Sequence, residues 1–270
     1  MKKLLAMAMA MVTMLSLAGC GSKKEHTDLV VFAAASMQNT LEEIAEKYHA
    51  QNPNVEVTYN FDSSGTLKTQ LQEGAYCDIF ISASPKQMNM LDINAGAEKN
   101  PDSLDLVLGD TRMDLLENQV VLVVPEDNPK EITSYDQLAQ LLRDGEVLMA
   151  MGNSDVPVGQ YTQKIFAYYG LDEQEMSSAG KLTYGTNVRE VASQVKEGAA
   201  DCGVVYATDA ASVGLTVADH ATKEMCGQVI YPAAVLNVSK HQDEAKAFLE
   251  YLQSDEAVAV FESVGFVPAF

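Results

Sequence analysis

Four short segments hold the residues in this chain best placed to do chemistry. They read FAAAS (Phe32 to Ser36), FDSSGT (Phe61 to Thr66), VPVGQY (Val156 to Tyr161) and GTNVREV (Gly185 to Val191). In each, a short strand-like stretch meets a small or hydroxyl residue and then a helical pattern. A helix start exposes N–H groups without an intrahelical acceptor, together with a partial positive charge. Four such starts brought together would grip an anion without any buried Lys or Arg. A fully ionised tetrahedral oxyanion offers acceptors only, so its site needs donors, and serine and tyrosine hydroxyls can turn to donate. Hydrogen bonds to a charged partner are roughly twice as strong as neutral ones. A protonated phosphate would also need an acceptor, which these segments supply only if Asp62 turns inward.

The elements around these joints alternate between strand and helix, which predicts an α/β fold built on parallel sheet. Leu29 to Ala33, Val55 to Phe61, Asp78 to Ser82, Val120 to Val124, Val147 to Met151, Gly203 to Tyr206 and Val229 to Val235 read as strands. Leu41, Ile44, Ala45 and Tyr48 recur at helical spacing, as do Tyr161, Ile165 and Tyr168, Val188, Val191, Ala192 and Val195, and Ala245, Phe248, Leu249 and Leu252. Ser84-Pro85-Lys86-Gln87 and Ser134-Tyr135-Asp136-Gln137 have the register of capping boxes. Long strands near Val120 and Val229 read as crossings between two lobes of discontinuous sequence. The expected division is residues 28–116 plus 233–270 for lobe 1 and 117–232 for lobe 2, with a site in the cleft at the carboxyl ends of the strands.

The first 20 residues read as a targeting leader and not as fold. Lys2 and Lys3 precede an apolar stretch, Leu4 to Leu17, too short to span a bilayer. Leu17-Ala18-Gly19-Cys20 then resembles a bacterial lipoprotein signal, which would leave Cys20 as a lipidated first residue anchored on the extracytoplasmic face of the cell membrane. Residues 21–27 (GSKKEHT) read as a polar tether.

Roughly 250 residues remain, enough for one large or two modest domains. Taking Lys2 and Lys3 away from the formal charge of −20 leaves −22. That acidity argues against nucleic acid, which calls for a basic stripe, and means that any anion is caught by local groups against the overall field. Cys77, Cys202 and Cys226 remain after Cys20. An odd count leaves at least one unpaired. Cys202 and Cys226 could bridge, but neither spacing nor context decides it. No CxxC or HxxxH spacing points to a metal cation. A hydrolase would need a base beside a serine, yet His26, His49, His220 and His241 all lie outside the four joints and no GxSxG elbow occurs. No GxGxxG follows a strand. These observations point away from an enzyme.

FAAAS, the SSGTL stretch, CDIFISAS, VPVGQY and GVVYATDA, in this order, resemble the molybdate-binding proteins of ABC importers over nearly the whole mature chain. The resemblance implies a type II periplasmic-binding-protein fold, two lobes joined by a hinge with the ligand in the cleft between them. It implies a monomeric receptor for molybdate or tungstate, without cofactor, that hands the anion to a membrane permease. Carried over position by position, it implies hydroxyl donors at Ser36, Ser64 and Tyr206 and backbone N–H donors at Val158 and Val188. Two departures are Asp62, where many relatives have a small residue, and Gly65, where some have serine. Without the resemblance, Ser36 and Ser64 could be plain helix caps and Tyr206 a core tyrosine. Sulfate makes the same donor demand and stays open. So does a small organic acid, which usually calls for an arginine; Arg189 is the one nearest a joint.

Overall fold

Leu29, Val31 and Ala33 are all fully buried, and a strand's two-residue period puts them on one face. In the computed structural model, which describes residues 26–270, they lie in β1 (Thr27–Ala34). Thr27, expected to end the tether, already belongs to the sheet: it sits opposite Val55 and its N–H donates to the Asn54 carbonyl at 2.8 Å. Cys20 and residues 21–25 lie outside the described residues.

β1 runs parallel to β2 (Val55–Asp62) and to β3 (Ile79–Ile81). β4 (Met113–Asn118) completes the outgoing chain, and only Gln119 separates it from β5 (Val120–Val124) in a second sheet. There β6 (Met149–Gly152) lies parallel to β7 (Leu182–Gly185) and β8 (Cys202–Tyr206), with β5 antiparallel to β8 and β9 (Thr216–His220) on the outer edge. The chain returns through β10 (Val229–Val235), antiparallel to both β3 and β4, and β11 (Val267–Pro268) closes the edge.

The two orders, β11-β4-β10-β3-β1-β2 and β7-β6-β8-β5-β9, share one pattern. Three parallel strands in second-first-third order are followed by a crossing strand that runs the other way. Both sheets are therefore mixed and not parallel throughout, because a strand arriving from the other lobe enters against the local direction. The expected limits at 116/117 and 232/233 cut through β4 and β10, which lie wholly in the first sheet. The crossings fall at Gln119 and at the segment between Cys226 and Val229.

Helices cover the sheets. A 3-10 turn (Ala35–Met37) leads into α1 (Gln38–Gln51); α2 (Ser64–Gln72) and α3 (Pro85–Asn89) follow. The second lobe carries α4 (Tyr135–Asp144), α5 (Pro157–Tyr169), α6 (Glu173–Ser178), α7 (Val188–Lys196), α8 (Ala207–Val213) and α9 (Lys223–Cys226). The chain ends on α10 (Gln242–Tyr251) and α11 (Asp255–Ser263). Val188, Val191, Ala192 and Val195 all bury against the second sheet, as their spacing predicts. Tyr168 departs from its expected face: it is 55% exposed, and its ring meets that of Tyr169 edge-on. The capping boxes are half-formed. Ser134 accepts from the Gln137 N–H, but the Gln137 side chain serves Thr133 instead of Ser134.

Buried Asp78 fastens the first lobe. Its carboxylate accepts from the Val30 N–H (2.8 Å) and the hydroxyls of Tyr76 and Ser239 (both 2.6 Å). A buried carboxylate is tolerable when its acceptors are filled in this way. Cys77, Cys202 and Cys226 are all buried and free. Burial pushes each thiol's pKa up, which leaves them poor nucleophiles.

Candidate functional site

Strand register sets the site. Ala34 of β1 pairs with Asp62 of β2, so FAAAS and FDSSGT leave the first sheet side by side. Gly152 of β6 pairs with Gly185 of β7, so VPVGQY and GTNVREV leave the second sheet in the same way. Each lobe thus presents two neighbouring helix starts. The two pairs meet across the cleft. The turn holding Ser36 packs against α7, and the Arg189 guanidinium donates to the Asn39 amide oxygen at 3.2 Å. The start of α2 meets the loop before α5, where Gly65 lies against the Asp155 backbone. Gly159 draws α5 onto the end of β6; a Cβ there would overlap the Gly152 and Asn153 carbonyls.

Neither expected serine serves as a helix cap. Ser63, one residue earlier, caps α2 by accepting the Thr66 N–H at 3.1 Å. Ser64 is fully buried and its Oγ accepts the Ala83 N–H at 2.9 Å, so its own proton is free to donate. Ser36 is half-buried in the 3-10 turn, with its Oγ 3.0 Å from the Tyr231 hydroxyl. Val158 occupies the second position of α5, whose cap residue Val156 has no side chain able to cap it, so early N–H groups of that helix stay unclaimed. Val188 opens α7; its cap, Asn187, takes the Glu190 N–H and leaves that of Val188. Asp62 is half-buried and its carboxylate folds back onto the Ser63 N–H at 2.6 Å.

Tyr206 ends β8 and is 1% exposed, between the rings of Tyr161 (6.3 Å) and Tyr231 (5.6 Å). Its hydroxyl makes no hydrogen bond of good geometry among the described residues, although the Tyr231 hydroxyl lies near enough to help hold its proton. Buried hydroxyls are nearly always paired, so this donor is set for a partner that the chain itself does not provide. Burial lifts both the Tyr206 and Tyr231 pKa values well above the ordinary tyrosine value, so both keep their protons. Asp209, three residues into the following segment, is also buried with one carboxylate oxygen unpaired. Burial raises its pKa to about 7 against the opposing pull of Arg189.

Sequence reasoning did not pick out Tyr231, Asn118 or Asp209. Asn118 Nδ2 donates to Thr208 Oγ1 (2.9 Å) and to the Tyr231 hydroxyl (3.2 Å), joining the site to the β4–β5 crossing. Tyr231 sits within an apolar strand and reads as core; only its place at the lobe crossing distinguishes it. Arg189 belongs to the mouth of the cleft, in a groove shared by Ala35, Gln38 and Phe61 of one lobe and Asn187 and Glu190 of the other.

Two hinged α/β lobes with facing helix starts define a solute-binding protein of the periplasmic-binding type. The chain belongs to the family of bacterial extracellular solute-binding proteins, whose model matches residues 29–267, and within it is ModA-like. It is 36% identical to YvgL of Bacillus subtilis (strain 168), over 95% of each chain; that protein bears a provisional name as an ABC transporter substrate-binding lipoprotein. It is 34% identical to the molybdate-binding protein ModA of Haemophilus influenzae, over 98% of this chain and 99% of that one. The periplasmic molybdate-binding protein of Azotobacter vinelandii shares the fold, with a TM-score of 0.73 at 20% identity, over 88% of this chain and 98% of that one. The chain is thus an extracellular solute-binding receptor and not an enzyme.

Proposed function

We propose that this receptor captures molybdate, with tungstate as an equivalent ligand, and delivers it to an ABC permease in the cytoplasmic membrane. Ser36, Ser64 and Tyr206 would donate through hydroxyls, and Val158 and Val188 through backbone N–H groups. The observation that carries this reading is the buried, unpartnered Tyr206 hydroxyl at the end of β8. A donor kept in that state suits an anion with four acceptor oxygens. The ModA relatives support the choice of molybdate. The lobes, meeting at Gln119 and between Cys226 and Val229, would hinge closed around the anion. Cys20 would carry the lipid anchor on the extracytoplasmic face, in keeping with the lipoprotein name of YvgL. The protein would act as a monomer and without a cofactor.

The test is calorimetric titration of the chain lacking residues 1–20 with molybdate, tungstate, sulfate and phosphate. Tight binding of the first two with little response to the others is expected. Preference for sulfate or phosphate would overturn the ligand and keep the fold. Silence for all four, with response to a carboxylic acid, would move the site towards Arg189.

A further inference from the structure

Among the described residues Ser36 hydrogen-bonds to one side chain, Tyr231, and that side chain is itself constrained. Asn118 is buried, and its Oδ1 accepts the Gln119 N–H at 2.8 Å. That bond fixes which end of the amide is nitrogen. Nδ2 therefore faces Tyr231 at 3.2 Å, and an amide nitrogen can only donate. Tyr231 is fully buried, and its hydroxyl has two hydrogen-bond partners among the described residues, Asn118 and Ser36. It accepts from the first, and the neighbouring Tyr206 hydroxyl makes no hydrogen bond of good geometry with it, so its single proton goes to Ser36 Oγ at 3.0 Å. Ser36 has no other hydrogen-bond partner among the described residues. With its oxygen taken by Tyr231, its own proton is left for the cleft.

We propose that Asn118 and Tyr231 are positioning residues that hold the Ser36 hydroxyl as a donor, and so favour fully ionised oxyanions over protonated ones. The inference rests on the oxyanion reading of the cleft. An unconstrained serine can donate or accept and would meet a protonated phosphate in either role. A serine already accepting from Tyr231 is biased towards ligands that carry acceptors alone. The hydrogen bonds in such a chain polarise one another in the same sense.

The test is a double-mutant cycle on the chain lacking residues 1–20, titrated with molybdate and inorganic phosphate. Tyr231→Phe keeps Asn118 Nδ2 bonded to Thr208 through one hydrogen and leaves the other without its acceptor, so the melting temperature is read alongside the affinity. It should weaken molybdate binding roughly tenfold, the effect of one charge-assisted bond losing its direction, and narrow the molybdate-to-phosphate ratio. In a Ser36→Ala background the same change should cost less than about twofold, because the residue it acts through is gone. Equal costs in both backgrounds, or an unchanged ratio, would overturn the proposal. Asn118→Leu, which frees Tyr231 to accept from Ser36, should shift the ratio in the same direction and serves if Tyr231→Phe melts early. A wild-type chain that binds none of the oxyanions would instead overturn the reading on which this one rests.

Discussion

Gly65, at the start of α2 in one lobe, lies directly against the backbone of Asp155, in the loop before α5 in the other. A Cβ at Gly65 would overlap the Asp155 carbonyl oxygen and come within 2.9 Å of its carbon. Backbone cannot yield as the tip of a side chain can. Closure to this depth therefore requires glycine at this position. Gly65→Ser should hold the lobes further apart, leave each lobe folded, and weaken oxyanion binding by about tenfold or more, since every donor contributed from across the cleft is displaced. Small-angle scattering with and without molybdate would read this directly. A ligand-induced contraction equal to that of the wild type would show that the loop accommodates the side chain.

Removing the Tyr206 hydroxyl should move stability and binding in opposite directions. That oxygen is buried without a hydrogen bond of good geometry among the described residues, and an unpaired buried hydroxyl costs about 1–3 kcal/mol. Tyr206→Phe should raise the stability of the ligand-free protein by roughly 1 kcal/mol, or about 2–4 °C in Tm for a chain of this size. It should weaken molybdate by a similar or larger free energy. Thermal melts and titrations on one preparation would decide it, and a loss of both properties would make Tyr206 a packing residue.

Asp209 predicts a slope of stability with pH. Burial raises its pKa from 3.8 to about 7, with Arg189 opposing and the protonated phenols of Tyr206 and Tyr231 nearby. Between these values the folded state binds the proton more tightly than the unfolded chain does. Its contribution to stability is therefore full below the lower value, declines as pH rises towards about 7, and is level above. Asp209→Asn should remove this decline, so the variant gains on the wild type from pH 4 to 7 by on the order of 1–3 kcal/mol. Urea melts across that range would show it. A difference independent of pH would place the titration elsewhere.

The three cysteines give a simple count. With Cys77, Cys202 and Cys226 buried and free, a thiol reagent should react slowly with the native chain lacking residues 1–20 and find three thiols once it is unfolded. One thiol on unfolding would mean that two of the three are bridged.

Much of the fold could be read from local pattern. The helix faces of α7 and α10 and the apolar runs of β1, β5 and β8 bury as their periods require. Strand direction could not be read, because it depends on which lobe a strand enters from, and that is set by pairing across more than 100 residues of sequence. Boundaries suffered for the same reason: Glu117, Asn118 and the first half of β10 carry no local mark of the sheet they join. At the site, turn chemistry singled out the four joints, where hydroxyl and small residues gather at strand ends. Tyr231, Asn118 and Asp209 escaped notice because their importance lies in partners as far as 195 residues away.

The chain Ser36–Tyr231–Asn118–Thr208 sits beside Gln119, where one strand passes from lobe to lobe. Points near a rotation axis travel least. On the hinged-receptor reading, this side of the cleft would keep its shape when the lobes swing, while Gly65 and Asp155 would separate. The cleft would then have a fixed berth and a moving gate, which would impose an order of events. An arriving anion would land first beside Ser36 and Tyr206, and the approach of α2 to α5 would follow. Departure reverses the sequence, so a permease that pries at the α2 side alone would release the cargo without disturbing the berth.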